Sequence, residues 1–124
     1  GIEYAILTDE ITKAWSGMTT RKYKALKGLT KENLRDNMST LELVLNMLAE
    51  ATTTEFSKEM KPSSFEESRK IAKQGGKVAG DARKNIEATT KKPVITDKSA
   101  AELNRIVADL ITDIADDTDK STEE

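Results

Sequence analysis

The chain contains neither cysteine nor histidine among its 124 residues, and this absence limits the chemistry that its side chains can perform. Thiol nucleophiles, imidazole bases, disulfides and the usual zinc ligand sets are excluded together. A nucleophile would have to be a serine or threonine activated by a lysine. Because most serines and threonines stand where they can cap a helix, we expect no enzymatic activity and no cofactor.

Gly75 and Gly80 have the spacing of a phosphate-binding loop, but the lysine and hydroxyl residue that such a loop requires do not follow Gly80. Ala72, Gly76 and Gly80 recur at every fourth residue, so they place small residues on one face of a helix. This stripe predicts close helix packing, within the chain or between subunits. A helix broken at Gly75 and Gly76 is the alternative, and we favour the continuous helix.

The net charge of −2 conceals a strong segregation of charge. Residues 1–61 are neutral, residues 62–95 carry +4, and residues 96–124 carry −6. The C-terminal carboxylates lack the complete spacing of a calcium loop, so we interpret them as a solvated acidic face and expect no metal site.

Basic residues are concentrated in two stretches, 20–35 and 69–92. Such stretches permit contact with phosphates or with an acidic partner. Residues 19–36 are compatible with a helix-turn-helix that reads DNA, or with a solvated helical hairpin. The candidate phosphate- or partner-binding residues are Arg21, Lys24, Lys27, Lys31, Arg35, Lys70, Lys73, Lys77, Arg83 and Lys84.

Ser39 and Glu42 have the spacing of a capping box, which predicts a helix that begins near Thr40. Pro62 predicts that this helix ends near Met60. The segment is apolar around most of its circumference, so we expect it to be a central helix buried on several sides.

Similar signatures predict further helices. Ser63 and Ser64 indicate a helix around Phe65, and Ser99 precedes a stripe with helical spacing. The stripe consists of Leu103, Ile106, Val107, Leu110, Ile111 and Ile114. Three shorter helices are expected upstream, capped by Thr8, Thr19 and Thr30 and ending near Trp15, Lys27 and Asp36.

These elements predict an all-α fold, a compact bundle of about five to six helices in which short N-terminal helices precede long ones. Aromatic residues make up only 4% of the chain, which argues against a β-sandwich. We expect residues 1–115 to form a single helical domain and residues 116–124 to be a disordered acidic tail.

Several short motifs are shared with a known family. They are Tyr4-Ala5-Ile6-Leu7, Gly17-Met18, Lys27-Gly28-Leu29-x-Lys31, Leu34-x-Asp36-Asn37-Met38-Ser39-Thr40-x-Glu42-Leu43, Ala51-Thr52 and Gly76-Lys77-Val78. Through them the chain resembles the C-terminal half of the DNA-damage-inducible protein D family of bacterial chromosomes and prophages. The resemblance covers roughly residues 4–104 and is strongest over residues 27–52.

The resemblance implies a non-enzymatic interaction module of the SOS response, and we expect it to be the C-terminal domain of a longer protein. The module would contact a protein partner, for which the family suggests RecA filaments, or support self-association. Members generally carry an N-terminal region similar to the BRO domain of prophage antirepressors, and nothing in this chain resembles that region. The family implies no catalytic residues. Direct nucleic-acid binding through residues 20–35 and 69–92, as in an antirepressor-type regulator, is the alternative function.

No apolar run approaches the roughly 18 residues that span a bilayer. The first residues also lack the charged and apolar regions of a signal peptide. We therefore expect a cytoplasmic protein that makes no membrane contact.

Overall fold

The computed structural model describes residues 1–97, 110–112 and 114. In these residues the chain is helical and contains no strand, which confirms the all-α prediction. The elements are α1 (Ile2–Ser16), α2 (Thr20–Leu26), a single 3-10 turn (Arg35–Asn37), α3 (Thr40–Met60) and α4 (Phe65–Thr90). The two long helices follow the shorter ones, as expected.

The predicted caps of the long helices are present. The Ser39 hydroxyl accepts a hydrogen bond from the Glu42 amide at 3.3 Å, and the Glu42 carboxylate accepts from the Ser39 amide at 2.9 Å, so the capping box is complete. Ser64 caps α4 by accepting from the Glu67 amide at 3.2 Å. Thr19 caps α2 in the same way.

The beginning of α1 differs from the prediction. Thr8 does not cap a helix, because α1 already begins at Ile2. The Thr8 hydroxyl instead donates to the carbonyl of Tyr4, one turn earlier in the same helix. The predicted end of the helix is confirmed: α1 stops at Ser16, and Gly17 follows in the left-handed conformation at φ 79°.

The helix predicted from Thr30 to Asp36 is not formed. Local side-chain bonds replace the helical ones: the Thr30 amide donates to Glu32 at 2.7 Å, and the Asp36 amide donates to Asn33 at 3.2 Å. Only the 3-10 turn follows. Without this second helix, residues 19–36 do not form a helix-turn-helix, and the alternative of a helical hairpin is also wrong.

The central helix is α4 rather than α3. It packs against α1 on one face and against α3 on the other, and it runs unbroken through its glycines. A Cβ on Gly76 would lie 2.5 Å from the Cβ of Ala14 in α1, and one on Gly75 would lie 2.7 Å from the Cα of Thr53 in α3. The predicted close packing of Gly76 and Gly80 therefore occurs within the chain, against α1, and Ala72 of the same stripe is buried.

The core lies where α1, α3 and α4 meet. Trp15 and Tyr23 are fully buried and contact each other edge to face, with ring centroids 6.0 Å apart. The indole N–H of Trp15 donates to Asn46 at 3.1 Å, so the buried polar end of the ring is satisfied. The remaining buried apolar residues of this cluster are Leu34, Met38, Leu45, Ala49, Ala79 and Val94.

Most of the helix predicted after Ser99, and the predicted tail at residues 116–124, lie outside the described residues. Residues 110–112 and 114 are helical. Leu110 and Ile111 of the apolar stripe are exposed.

Candidate interaction surfaces

Lys27 belongs to a buried polar network and not to the surface. Glu42 is fully buried, and its carboxylate accepts hydrogen bonds from the Tyr23 hydroxyl, the Ser39 amide and the Lys27 ammonium, the last at 2.8 Å. The side chain of Lys27 is only 1% exposed. The prediction that Lys27 contacts phosphate or a partner is therefore wrong, because its charge is already compensated inside the fold.

The same network perturbs Tyr23. Burial raises the pKa of its hydroxyl, and the hydrogen bond to Glu42 and the negative charge of that carboxylate raise the pKa further. The phenol therefore remains the donor in this bond well above neutral pH.

Arg83 is also a structural residue. Its Nε donates to the Trp15 carbonyl at 2.8 Å, and one terminal nitrogen lies 2.8 Å from Glu87. The Trp15 carbonyl is one of the last four of α1, which have no partner within their own helix. Arg83 thus ties the C-terminal end of α1 to α4, and its side chain is largely buried.

Three of the remaining candidates of the first stretch border a groove beside α1. Lys24 and Arg35 line a cavity of about 300 Å³ together with Tyr4, and Arg21 and Lys24 line an adjoining hollow. Arg35 forms an exposed ion pair with Glu50 at 2.8 Å. Lys31 is exposed on the loop after α2. The structure therefore brings together three of the five predicted residues of this stretch.

The remaining candidates of the second stretch lie on the solvent face of α4. Lys70, Lys73, Lys77 and Lys84 are all exposed and follow helical spacing. Lys77 pairs with Asp81 at 3.0 Å, one turn away. We call these four lysines the α4 lysine row.

A further charged cluster was not predicted from the sequence. Glu10 of α1 is buried, and its carboxylate lies 3.1 Å from Arg69 and 3.9 Å from Lys73 of α4. Lys13 and Ala14 complete the lining of this hollow. Residues 10 and 69 are far apart in sequence, so only the packing of α1 on α4 brings them together.

The outer face of α3 is an apolar surface that the sequence suggested only indirectly. Leu45 and Ala49 face the core, whereas Val44 and Met47 are 53% and 49% exposed. The all-round apolar pattern that predicted burial on several sides therefore corresponds to one buried face and one exposed face. The outer face consists of Leu41, Val44, Met47, Leu48 and Ala51.

Several serine and threonine hydroxyls within the helices are engaged locally, although not as caps. Thr12, Ser16 and Thr53 donate to the carbonyl four residues earlier in their own helix. Among the described residues no group of three or more acidic side chains is arranged to hold a metal ion. What these surfaces offer chemically is charge and apolar contact.

Comparisons of the chain with protein-family models, curated proteins and solved structures return no match. In the part of the chain that the structure describes, no helix has the length and apolar character needed to cross a membrane.

Proposed function

We propose that this chain is a non-enzymatic helical interaction module of a bacterial or prophage DNA-damage-response protein. Its contact surface is the outer face of α3, and its partner is the RecA filament. The family resemblance suggests the partner, and the exposed apolar residues of α3 support the choice of surface.

The exposure of the outer face of α3 carries this proposal. Its four large apolar residues, Leu41, Val44, Met47 and Leu48, are each between 39% and 53% exposed and follow one another along one helix face. Single exposed apolar side chains are common, but a contiguous group of them marks an interaction surface. None of the four belongs to the buried core cluster.

The experiment is an assay of RecA filament assembly on single-stranded DNA with and without the full chain. We expect the chain to change the rate of assembly severalfold and Val44→Asp to abolish that effect. Val78→Asp is the matched control, because Val78 is 40% exposed but lies on α4. If the full chain leaves assembly unchanged, RecA is not the partner. If Val78→Asp has the same effect as Val44→Asp, the outer face is not the contact surface.

The α4 lysine row favours a second candidate function, direct binding of nucleic acid by an antirepressor-type regulator. Its residues Lys70 to Lys84 span about 21 Å along the helix axis. A row of exposed ammonium groups over this length can follow a phosphate backbone without reading bases.

Salt dependence tests this second function. The affinity for duplex DNA should fall with salt at a log–log slope of about −0.9 for each phosphate neutralised. Lys70→Gln and Lys84→Gln should each lower the magnitude of the slope by about 0.9, the contribution of one phosphate. Lys58 is an exposed lysine of α3, and Lys58→Gln should leave the slope unchanged. Absence of binding at about 50 mM salt would overturn this function.

A further inference from the structure

The cavity beside α1 has no part in the proposed function. It has a volume of about 300 Å³ and lies where α1, α2, α3 and residues 33–38 meet. Its lining includes no residue of the outer face of α3 and none of the α4 lysine row. Small-molecule sites are usually concave, pre-formed and enclosed by several elements, and this cavity has the size of the smaller ones.

One part of the cavity lining is apolar. Leu34 and Met38 are 8% and 3% exposed, and Ile11 of α1 packs against the same core cluster. Tyr4 also lines the cavity and is 74% exposed. A planar aromatic ligand can therefore contact both aliphatic side chains and an aromatic ring, and this contact removes apolar surface from water.

A buried amide also lines the cavity. Asn46 is 9% exposed, accepts the indole N–H of Trp15 at 3.1 Å and donates to Glu50 at 3.2 Å. A side-chain amide carries two N–H donors. Among the described residues, only Glu50 accepts from the amide nitrogen of Asn46, so one donor is left for an oxygen atom of a ligand.

The charges around the cavity favour an anion. Lys24 lines both the cavity and the adjoining hollow, and Arg21 lines the hollow. In the described part of the chain, no carboxylate forms an ion pair with either side chain. The two carboxylates at the site are already engaged: Glu50 pairs with Arg35 at 2.8 Å, and Asp9 accepts the first backbone amide of α2 at 2.8 Å. The uncompensated charge is therefore positive.

We infer that this cavity binds a small aromatic anion. The ring of the ligand packs against Leu34 and Met38, and the remaining N–H of Asn46 donates to one of its oxygen atoms. The anionic group meets Lys24, where the cavity adjoins the hollow. A neutral ring would leave the charge of Lys24 without a partner, and a cation would be repelled by it.

The first test is a titration of the isotope-labelled full chain with cinnamate, which has one ring and one carboxylate, followed through the backbone amide resonances. We expect saturable binding of one molecule per chain, with the largest shifts at Thr8, Leu34 and Asn46. Cinnamamide has the same shape without the charge and should bind about tenfold more weakly, because a charge-assisted hydrogen bond is lost. Absence of saturable binding, or equal affinity for the two compounds, overturns the inference.

Two variants test the charge and the space separately. Lys24→Gln should weaken cinnamate binding about tenfold, whereas Lys58→Gln, at an exposed position of α3 away from the cavity, should not change it. Thr8 is exposed and lines both the cavity and the hollow, so Thr8→Trp should fill the space and abolish binding.

Gln74→Trp is the matched control for the added indole, because Gln74 is exposed on α4 and no residue of α4 lines the cavity. It should bind cinnamate like the unmodified chain. Circular dichroism melting checks that each variant is folded. Unchanged binding by Lys24→Gln, or by a folded Thr8→Trp chain, would show that cinnamate does not occupy this cavity and would overturn the inference.

Discussion

The ammonium of Lys27 lies 2.8 Å from the carboxylate of Glu42, and both side chains are almost completely removed from solvent. Two charges can be buried in this way only if each compensates the other and the remaining polar atoms find partners. Tyr23 and Ser39 supply two of those partners. The network joins the end of α2 to the first turn of α3.

We expect Lys27→Met to lower the free energy of unfolding by about 3–5 kcal/mol, because it leaves the carboxylate of Glu42 buried without a counter-charge. Arg35→Met is the control, since the exposed pair of Arg35 with Glu50 should contribute only about 0–1 kcal/mol. Urea denaturation measures both. Equal losses in the two variants would contradict the buried network.

The raised pKa of Tyr23 predicts a loss of stability in alkaline solution. The folded chain holds this proton more tightly than the unfolded chain, so the stabilisation is complete below about pH 10, the ordinary pKa of tyrosine, and decreases above it. The slope due to Tyr23 should approach about 1.4 kcal/mol per pH unit. In Tyr23→Phe this component should be absent, whereas Tyr4→Phe, at an exposed position, should retain it. Denaturation at a series of pH values tests this, and identical slopes in all three chains would refute it.

Gly76→Ala should destabilise the protein even though alanine favours helix formation. The added Cβ would lie 2.5 Å from that of Ala14 and 2.8 Å from the carbonyl of Ile11, so α1 and α4 would have to separate. Overpacking of this kind costs about 1–3 kcal/mol. Gln74→Ala, on the solvent face of the same helix, should be nearly neutral. Thermal melting gives the comparison, and a melting temperature for Gly76→Ala at or above that of the unmodified chain would contradict the contact.

Ser63 and Ser64 have the same capping signature, and the structure distinguishes them. Ser64→Ala should lower the free energy of unfolding by about 1 kcal/mol, because the Ser64 hydroxyl accepts a hydrogen bond from the Glu67 amide. Ser63→Ala should cost less, since it removes only the exposed 3.2 Å bond from the Ser63 hydroxyl to the Glu67 carboxylate and retains the 2.7 Å bond from the Ser63 backbone amide. Urea denaturation should separate the two variants, and the reverse order would show that Ser63 is the cap.

Local signals predicted the helices well where caps and breakers act within one turn. Such a helix end is fixed by a hydrogen bond or a backbone conformation that near neighbours form. The examples are Ser39 with Glu42, Ser64 before Phe65, and Gly17 after α1. Thr30 failed as a cap because Glu32 and Asn33 offer competing local bonds, which sequence spacing does not rank. Thr8 failed as a cap because it lies inside α1, where its hydroxyl donates to the carbonyl of Tyr4, four residues earlier.

The charge pattern predicted the candidate surfaces only in part. Lys27 and Lys31 are both basic residues near a turn, yet Lys27 is buried and Lys31 is exposed. The difference in burial arises because Lys27 pairs with Glu42, fifteen residues away. No periodicity in the sequence indicates that pairing. The pairing of Glu10 with Arg69 was missed for the same reason.

The sequence by itself determined the all-α class, the bounds of α3 and the small-residue face of α4, because these depend on composition, capping and helical periodicity. The tertiary structure decided which helix is central, which lysine is buried and which apolar face of α3 remains in water. An apolar helix face is the same in sequence whether it meets another helix or solvent. Its environment is set by how α1 and α3 pack against the glycines of α4, and that packing joins residues distant in the chain.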